Sequence, residues 1–379
     1  PDSSDRLGQL LARAVLSAPT FTLRGGTTEV LRSLIARSVS RARDRAPADL
    51  LTRTVDDILT THGRGGSAAH DLPGMDDGAW RALSGAGLPL VGVPEDRGGS
   101  GGTATDAATI LLRAGGSGVA APLAETGLLA GWALSQAAAS VPAGPLTIAL
   151  DHDLVLHGDT LSGTARRVPF AADAVVVVAV VGERLVAARP TRTVPGKALN
   201  GEPRDTVVFD DVRPAISVAA PCTPADLRDR AAATRVLLIA GALRTVLRLA
   251  VQHTSTREQF GTPILKFQAV EHQIALLAEQ VARAEMAAEL AVRWLAAGAD
   301  REDLAVATLT AREAATLAAK LAHQVHGAIG IAAEYDLQVH TRSLWTWRDE
   351  CGSEREWAAA LGASAVSASA GGLWNWLSR

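Results

Sequence analysis

The sequence is poor in cysteine: Cys222 and Cys351 are the only two among its 379 residues, and neither belongs to a motif. A disulfide framework needs more cysteines, and zinc sites place theirs at short, repeated spacings. The two cysteines therefore predict neither a disulfide-stabilised fold nor a zinc site. They are typical of a reducing compartment, and we predict a cytoplasmic protein.

Long apolar runs and long runs of like charge are lacking as well. No stretch of about 18 apolar residues is free of charged side chains, and no basic segment precedes an apolar one, so neither a membrane span nor a signal peptide is predicted. The formal net charge of -3 is spread along the chain, so nucleic acid is not a predicted partner. A G-x-G-x-x-G motif after a strand is also absent, which excludes a Rossmann fold.

What the sequence does contain is a change of pattern from helical to β and back to helical. Short β-branched runs such as "AVVVVAV" and "DTVVFDDV", separated by Gly, Asp and Pro, indicate an antiparallel sheet or barrel. Amphipathic patterns from Pro224 onward indicate long helices joined by short loops, as in a bundle. The order predicts an α+β fold. The predicted segments are helices in 1–46, a helical segment and linker in 47–74, an N-terminal α domain in 75–144, a middle antiparallel β domain in 145–220 and a C-terminal helical bundle in 224–379.

The most distinctive stretch is "TREQFGTPILKFQAVEHQIALLAEQ", which interrupts two long helical patterns. Arg257 and Gln259 lie at the end of one helix, Phe260 and Gly261 end it, and Gln268 opens the next. A break that presents a guanidinium, an amide and an aromatic ring together suits a pyrophosphate and a flat ring system. The alternative is a plain helix hairpin whose polar residues are solvated.

This stretch resembles the acyl-CoA dehydrogenase signature R-x-Q-F-G-x-x-I-x-x-F-Q, and "AHQVHGAIGIAAEYDL" resembles the Q-x-x-G-G-x-G-x-x-x-E loop of the same family. The resemblance implies an N-terminal α-helical domain, a middle β domain and a C-terminal four-helix bundle. It also implies FAD as cofactor, an acyl-CoA thioester as substrate, and an oligomer in which one body's Arg257 motif reaches the flavin pyrophosphate of its neighbour. The cofactor-binding residues implied are Arg257, Gln259, Phe260, Gly261, Gln268, Gln324, His326, Gly327, Gly26 and Thr27.

Gly26 and Thr27 belong to "LRGGTTEVLRSLIARSV", which resembles the last helix of another acyl-CoA dehydrogenase module. We therefore expect two fused modules, of which the first is represented only by its terminal helices in 1–46. The chain resembles the second module of a fused enzyme of the type that degrades steroid or bile-acid side chains. A separate related subunit is the other form that the companion could take.

The family mechanism needs a carboxylate that removes the proton α to the thioester carbonyl. In one branch of the family this glutamate lies on the first bundle helix, where this chain has Thr234. In the other branch it lies near the end, where the nearest match is Glu350 in "RDECGSEREW". Glu350 is therefore the predicted base, with a pKa raised by a cleft of low polarity. A solvated loop glutamate is the alternative.

Two further sequence features concern the flavin ring and a metal site. The T-E-P-x-A-G-S-D segment, which holds the flavin ring in the family, is replaced by "SVPAGPLTIALDHDLVLHGD", so the resemblance implies a degraded ring site beside an intact nucleotide site. His323 and His326 lack a third ligand at a recognisable spacing, so no metal is predicted.

Two hypotheses about function follow from the sequence: an FAD-dependent acyl-CoA dehydrogenase formed by two bodies, or a catalytically silent module that supports the flavin and the assembly.

Overall fold

The computed structural model describes residues 50–63, 74–298 and 300–367. The expectations for 1–46, including Gly26 and Thr27, lie outside the described residues. Within them the predicted order of helices, strands and helices is confirmed. None of the helices in the described ranges is long and apolar enough to cross a membrane.

The first helical region packs against the bundle and against one face of the β region. Helix α3 has a complete capping box, in which Thr103 and Asp106 satisfy each other's backbone N–H groups. A fully buried π-helix follows, an irregularity that is common at functional sites. The elements are α1 Leu50–His62, α2 Asp77–Gly85, two 3-10 turns at Leu88–Leu90 and Glu95–Arg97, α3 Ala104–Gly115, the π-helix Ala124–Gly131 and α4 Trp132–Gln136.

The β region forms two sheets. One has the strand order β1-β5-β6-β9, and the other has the order β2-β4-β8-β7, with β3 also paired to β4. The strands are β1 Leu146–Ile148, β2 Asp151–His152, β3 Val155–His157, β4 Thr160–Pro169, β5 Val176–Val181, β6 Arg184–Ala188, β7 Arg192–Val194, β8 Arg204–Val212 and β9 Ile216–Ala219.

One pairing departs from the antiparallel expectation, because β1 runs parallel to β5. The pattern also gave no sign of β2, β7 and β9, which are short and partly exposed strands. Their pairing depends on neighbouring strands and not on an apolar run of their own. By contrast β5 is buried at every position, and its valine run marked it in the sequence.

The last region consists of long helices. Helix α5 begins with a capping box of Thr223 and Asp226 and has Pro224 at its first position, where a missing N–H costs nothing. The elements are α5 Pro224–Thr256, a hairpin of β10 Glu258–Gln259 and β11 Thr262–Pro263, a 3-10 turn at Ile264–Lys266, α6 Gln268–Ala297, α7 Arg301–His326, a 3-10 turn at Gly327–Ile331, α8 Leu337–Arg348 and α9 Glu354–Ser367.

Helix α5 follows the last strand of the β region and ends at the hairpin. It packs on α3 through two glycines: a Cβ on Gly115 would lie 2.3 Å from the carbonyl oxygen of Leu238, and one on Gly241 would lie 1.9 Å from that of Leu112. This close contact leaves α5 in the centre of the main apolar core. Leu227 and Ala231 at its start belong to the core that includes β1, β5 and β6, and its last residue leads into the hairpin.

Candidate functional site

The hairpin after α5 presents the predicted cofactor residues at one end of the bundle. We call Arg257–Gly261 the hairpin corner. The backbone N–H of Arg257 donates to His253, and its carbonyl accepts from Ile264, so the backbone of the turn is held. The side chains of Arg257 and Gln259 are exposed and bond to no other described residue. Both side chains are therefore available to a ligand or a neighbouring body.

Phe260 is the most unusual residue of the corner. Its side chain is 94% exposed, and its φ of +54° lies in the left-handed region. Gly261 follows with φ of +77°, so the two form a tight turn of the kind that usually carries Asn-Gly. An exposed aromatic residue in this conformation costs about 1–2 kcal/mol, and such strain concentrates at functional sites.

The second predicted motif lies at the same end of the bundle. Gln324 and Gly327 are exposed at the end of α7, and Gly327 has φ of +62°. His326 is buried, and its ring stacks on that of His253 with 4.7 Å between centroids. This stacking joins the end of α7 to the end of α5, so the structure brings the two motifs together.

His326 itself faces the protein interior. Its Nδ1 lies 2.7 Å from the carbonyl oxygen of Ala322, which makes Nδ1 the protonated nitrogen, and its Nε2 is buried with no partner among the described residues. Burial lowers the pKa of His326 to about 4, so the ring is neutral near pH 7. The ring of His326 packs between α5 and α7. Its expected contact with a cofactor stays a prediction.

Glu350, the predicted base, lies in the loop after α8 and is held by two arginines. Its Oε1 accepts from Nε of Arg204 at 2.7 Å, and its Oε2 accepts from Nε of Arg235 at 2.7 Å. Each arginine has a second carboxylate: Arg204 Nη2 donates to Glu202 at 3.0 Å, and Arg235 Nη2 donates to Glu125 at 2.9 Å. The five side chains form one nearly buried ionic chain.

The expected raised pKa of Glu350 is wrong in direction. Burial alone would raise it, but the charges and hydrogen bonds of Arg204 and Arg235 lower the pKa to about 2. The side chain is only 10% exposed, so water does not screen these charges well. A solvated loop glutamate is equally wrong, because both carboxylate oxygens are occupied inside the protein.

The position of the other family base is also filled by a group without basic character. Thr234 is fully buried on α5, and its hydroxyl donates to the carbonyl oxygen of Ala231 at 2.7 Å. The sequence analysis missed Arg204, Arg235, Glu125 and Glu202. The signal for one of them was "RVLLIAGALR", in which the charged Arg235 directly precedes an apolar run.

The two candidate regions are far apart within this chain. Arg235 and Arg257 are separated by 22 positions on α5 and its cap. At about 1.5 Å per residue they lie roughly 33 Å apart. The hairpin corner and the Glu350 loop are therefore separate places on the chain.

Comparison with known proteins defines the class. Residues 229–347 match the acyl-CoA dehydrogenase C-terminal domain. The chain is 30% identical over 284 residues to acyl-CoA dehydrogenase IpdE2 of Mycobacterium tuberculosis, covering 70% of this chain and 80% of that protein. Its fold resembles the ChsE4–ChsE5 complex of Mycobacterium tuberculosis, with a TM-score of 0.71, 20% identity and coverage of 88% of this chain and 97% of that one. It also resembles a variant of the Tcur3481–Tcur3483 steroid acyl-CoA dehydrogenase, with a TM-score of 0.73, 23% identity and coverage of 89% and 99%.

The chain belongs to the acyl-CoA dehydrogenase family, whose members are FAD-dependent enzymes. The donor set of the hairpin corner fits the nucleotide half of FAD, because the guanidinium of Arg257 and the amide of Gln259 are donors suited to a diphosphate. The surroundings of Glu350 fit the flavin ring poorly. Five arginines and three carboxylates line that cavity beside Ile148, Leu150 and Pro169, whereas a flat ring needs larger apolar faces.

Proposed function

We propose that this chain takes part in the FAD-dependent α,β-dehydrogenation of an acyl-CoA thioester as one of two related bodies. The hairpin corner binds the nucleotide half of FAD, and the flavin ring of the same cofactor lies in the companion. The companion, a fused module or a separate subunit, also carries the base that removes the α proton. The flavin supplies the hydride acceptor. The observation that carries the proposal is the Glu350 carboxylate, whose two oxygens are both bound by arginines.

A base must accept a proton within its working pH range, and the ideal pKa lies near the operating pH. A carboxylate with a pKa of about 2 has little affinity for a proton near pH 7. To act on a substrate, Glu350 would also have to leave Arg204 and Arg235. That movement would leave buried charges unpaired, at a cost of about 3–5 kcal/mol. We therefore assign Glu350 a structural role.

The separation of about 33 Å along α5 supports a flavin shared between bodies, because the corner of one chain then serves a ring site elsewhere. The ChsE4–ChsE5 and Tcur3481–Tcur3483 neighbours are complexes of two proteins, which supports a heteromeric or fused companion. The second is named a steroid acyl-CoA dehydrogenase, and we extend that substrate class to this chain as a hypothesis. A cytoplasmic location also stays a prediction.

A second candidate keeps the base in this chain. Its support is that Glu350 lines a cavity of about 210 Å³, so a ligand there would approach the carboxylate. The two candidates predict different rates for Glu350→Gln. Turnover is lost if Glu350 is the base and is largely kept if Glu350 is structural.

The test is anaerobic bleaching of the flavin by a steroid-type acyl-CoA in the purified assembly. Glu350→Gln is compared with Glu202→Gln, which also removes one carboxylate from Arg204. We expect both variants that remain folded to bleach at rates within about tenfold of each other, because neither residue transfers a proton. A loss of roughly a thousandfold or more in Glu350→Gln alone would identify Glu350 as the base.

A further inference from the structure

The cavity beside Glu350 has a charge pattern that the proposed function does not use. We call it the arginine cavity; it lies between the β region, the start of α5 and the loop after α8. Five arginines and three carboxylates contribute to its lining. The lining residues are Ile148, Leu150, Asp151, Arg166, Arg167, Pro169, Arg204, Arg228, Arg235, Asp349, Glu350, Cys351 and Gly352.

Most of the negative charge in this lining is already neutralised. Both oxygens of Glu350 accept from Arg204 and Arg235. Both oxygens of Asp349 accept from Arg348, at 2.7 and 2.9 Å. Asp151 is exposed. Arg166, Arg204 and Arg235 are themselves in ion pairs, so the charges of the lining that are outside ion pairs among the described residues are those of Arg167, Arg228 and the exposed Asp151.

Arg204 and Arg235 also separate this cavity from a second, smaller one. The second carboxylates of the ionic chain, Glu125 and Glu202, line the smaller cavity together with the two arginines but do not line the arginine cavity. Glu350 lies on the other side, in the lining of the arginine cavity, so the two arginines have a carboxylate beside them in each cavity.

Two further guanidinium groups at this cavity form no ion pair within the described part of the chain, although the Arg228 charge acts on Glu356, whose pKa is lowered by hydrogen bonds from Ser353 and by that charge. Arg167 and Arg228 are exposed and form no ion pair with any described residue, whereas Arg166 pairs with Asp153. The register of β4 against β8 shifts between Ala165 and Val168, so the bulge contains Arg166 and Arg167. Bulges of this kind redirect side chains beside functional sites.

The backbone of Arg167 is strained at the same place. Its φ of +54° lies in the left-handed region, which costs a side chain other than glycine about 1–2 kcal/mol. Glycine or asparagine would relieve that strain, yet an arginine stands there, at the rim of a cavity with two buried guanidinium groups in its wall. Strain of this kind is a marker of function.

We propose that the arginine cavity binds a compact anion, namely a carboxylate or phosphate group, between Arg167 and Arg228. Guanidinium groups bind both anions through paired N–H donors, and the cavity of about 210 Å³ accommodates such a group. Arg204 and Arg235 are neutralised by Glu350, Glu125 and Glu202, so the charge that would hold the anion comes from Arg167 and Arg228. This inference does not depend on flavin binding at the hairpin corner.

Isothermal titration of the purified protein with inorganic phosphate and, separately, with glutarate tests the site at constant ionic strength. Saturable binding of one anion is expected and identifies which group the site prefers. Arg167→Gln and Arg228→Gln should each weaken that binding about tenfold or more, since each removes a charge-assisted hydrogen bond. Arg192→Gln, an exposed arginine on β7 outside the cavity, is the matched control and should bind as the unmodified chain does.

The absence of saturable binding for both anions would overturn the proposal. So would unchanged binding in both cavity variants, provided that their circular dichroism and thermal unfolding match those of the unmodified chain. Flavin content is measured in the same preparations. A failure of the anion site is thereby distinguished from a failure of the proposed function.

Discussion

Glu350 and Arg235 are joined across 115 positions of sequence by a hydrogen bond of 2.7 Å between Oε2 and Nε, and this contact ties the loop after α8 to the centre of the bundle. Arg204 binds the other oxygen and extends the connection to the β region. Three regions of the chain therefore meet at one carboxylate. Buried ion pairs add little net stability as pairs, but removing one member leaves an uncompensated charge.

Glu350→Gln should accordingly destabilise the protein by about 3–5 kcal/mol, because Arg204 and Arg235 would share a neutral amide in place of a carboxylate. Urea unfolding measures the change. Glu183→Gln, at an exposed position, is the control and should shift the free energy of unfolding by less than about 0.5 kcal/mol. Equal effects in the two variants would contradict the assignment of a structural ionic chain.

The free energy of unfolding should fall in two stages as the pH is lowered. His326 and His340 are held neutral, with pKa values lowered by burial from 6.5 to about 4, so their contribution is present above pH 6.5 and is lost as the pH falls toward 4. Glu350, lowered from 4.5 to about 2, contributes above pH 4.5 and loses that contribution toward pH 2. At 1.36 kcal/mol per pKa unit each group accounts for roughly 3 kcal/mol.

Two variants separate these stages in urea unfolding at a series of pH values. His340→Leu places an apolar residue of similar size in a buried site, so it should reduce the loss between pH 6.5 and 4. Glu350→Gln should reduce only the loss below pH 4.5. A flat profile between pH 6.5 and 4 in the unmodified chain would refute the burial of neutral histidines.

Phe260→Asn should separate stability from cofactor binding. Asparagine tolerates the left-handed backbone better than phenylalanine, so the free energy of unfolding should stay constant or rise by about 1 kcal/mol. The flavin retained by the assembly should decrease, since the exposed ring is the surface that the corner offers to a cofactor or a companion. Met286→Asn, at a position 58% exposed on α6, should leave flavin retention unchanged. Loss of stability in Phe260→Asn would show a merely structural role.

The glycine contact between α3 and α5 offers a test of the packing. Gly241→Ala should destabilise the protein by about 1–3 kcal/mol or more, because its Cβ would overlap the carbonyl oxygen of Leu112. Gly85→Ala is the matched control on α2, where a Cβ would meet nothing within 4 Å. That change should be neutral or stabilise by about 0.4–1 kcal/mol. A reversed order of the two variants in thermal unfolding would contradict this helix packing.

The sequence was informative where local chemistry decides the structure. The Arg257 motif lies at a helix end as predicted, because Gly261 and Pro263 determine the backbone of their immediate neighbours; the β-hairpin that follows was not predicted. The valine run of β5 and the capped start of α5 are local in the same way. The parallel pairing of β1 with β5 was not evident, because pairing is decided between distant segments.

The surroundings of Glu350 could not be predicted from the motif that contains it. Its partners Arg204 and Arg235 come from β8 and α5, and nothing near "RDECGSEREW" in the sequence indicates them. The direction of a pKa shift depends on such distant charges, so a motif alone predicted a raised value where the folded protein has a lowered one. The hairpin corner and the Gln324 loop, whose roles depend on a companion, remain predictions.

The measurement that tests the account most directly is the affinity of the purified assembly for FAD when Arg257 is changed to Gln. The corner is proposed to bind the flavin diphosphate, so the loss of one charge-assisted contact should weaken FAD binding by about 1.5–3 kcal/mol, or roughly tenfold or more. Arg293→Gln, an exposed arginine on α6, should bind FAD normally. Unaltered FAD affinity in a correctly folded Arg257→Gln assembly would contradict the account.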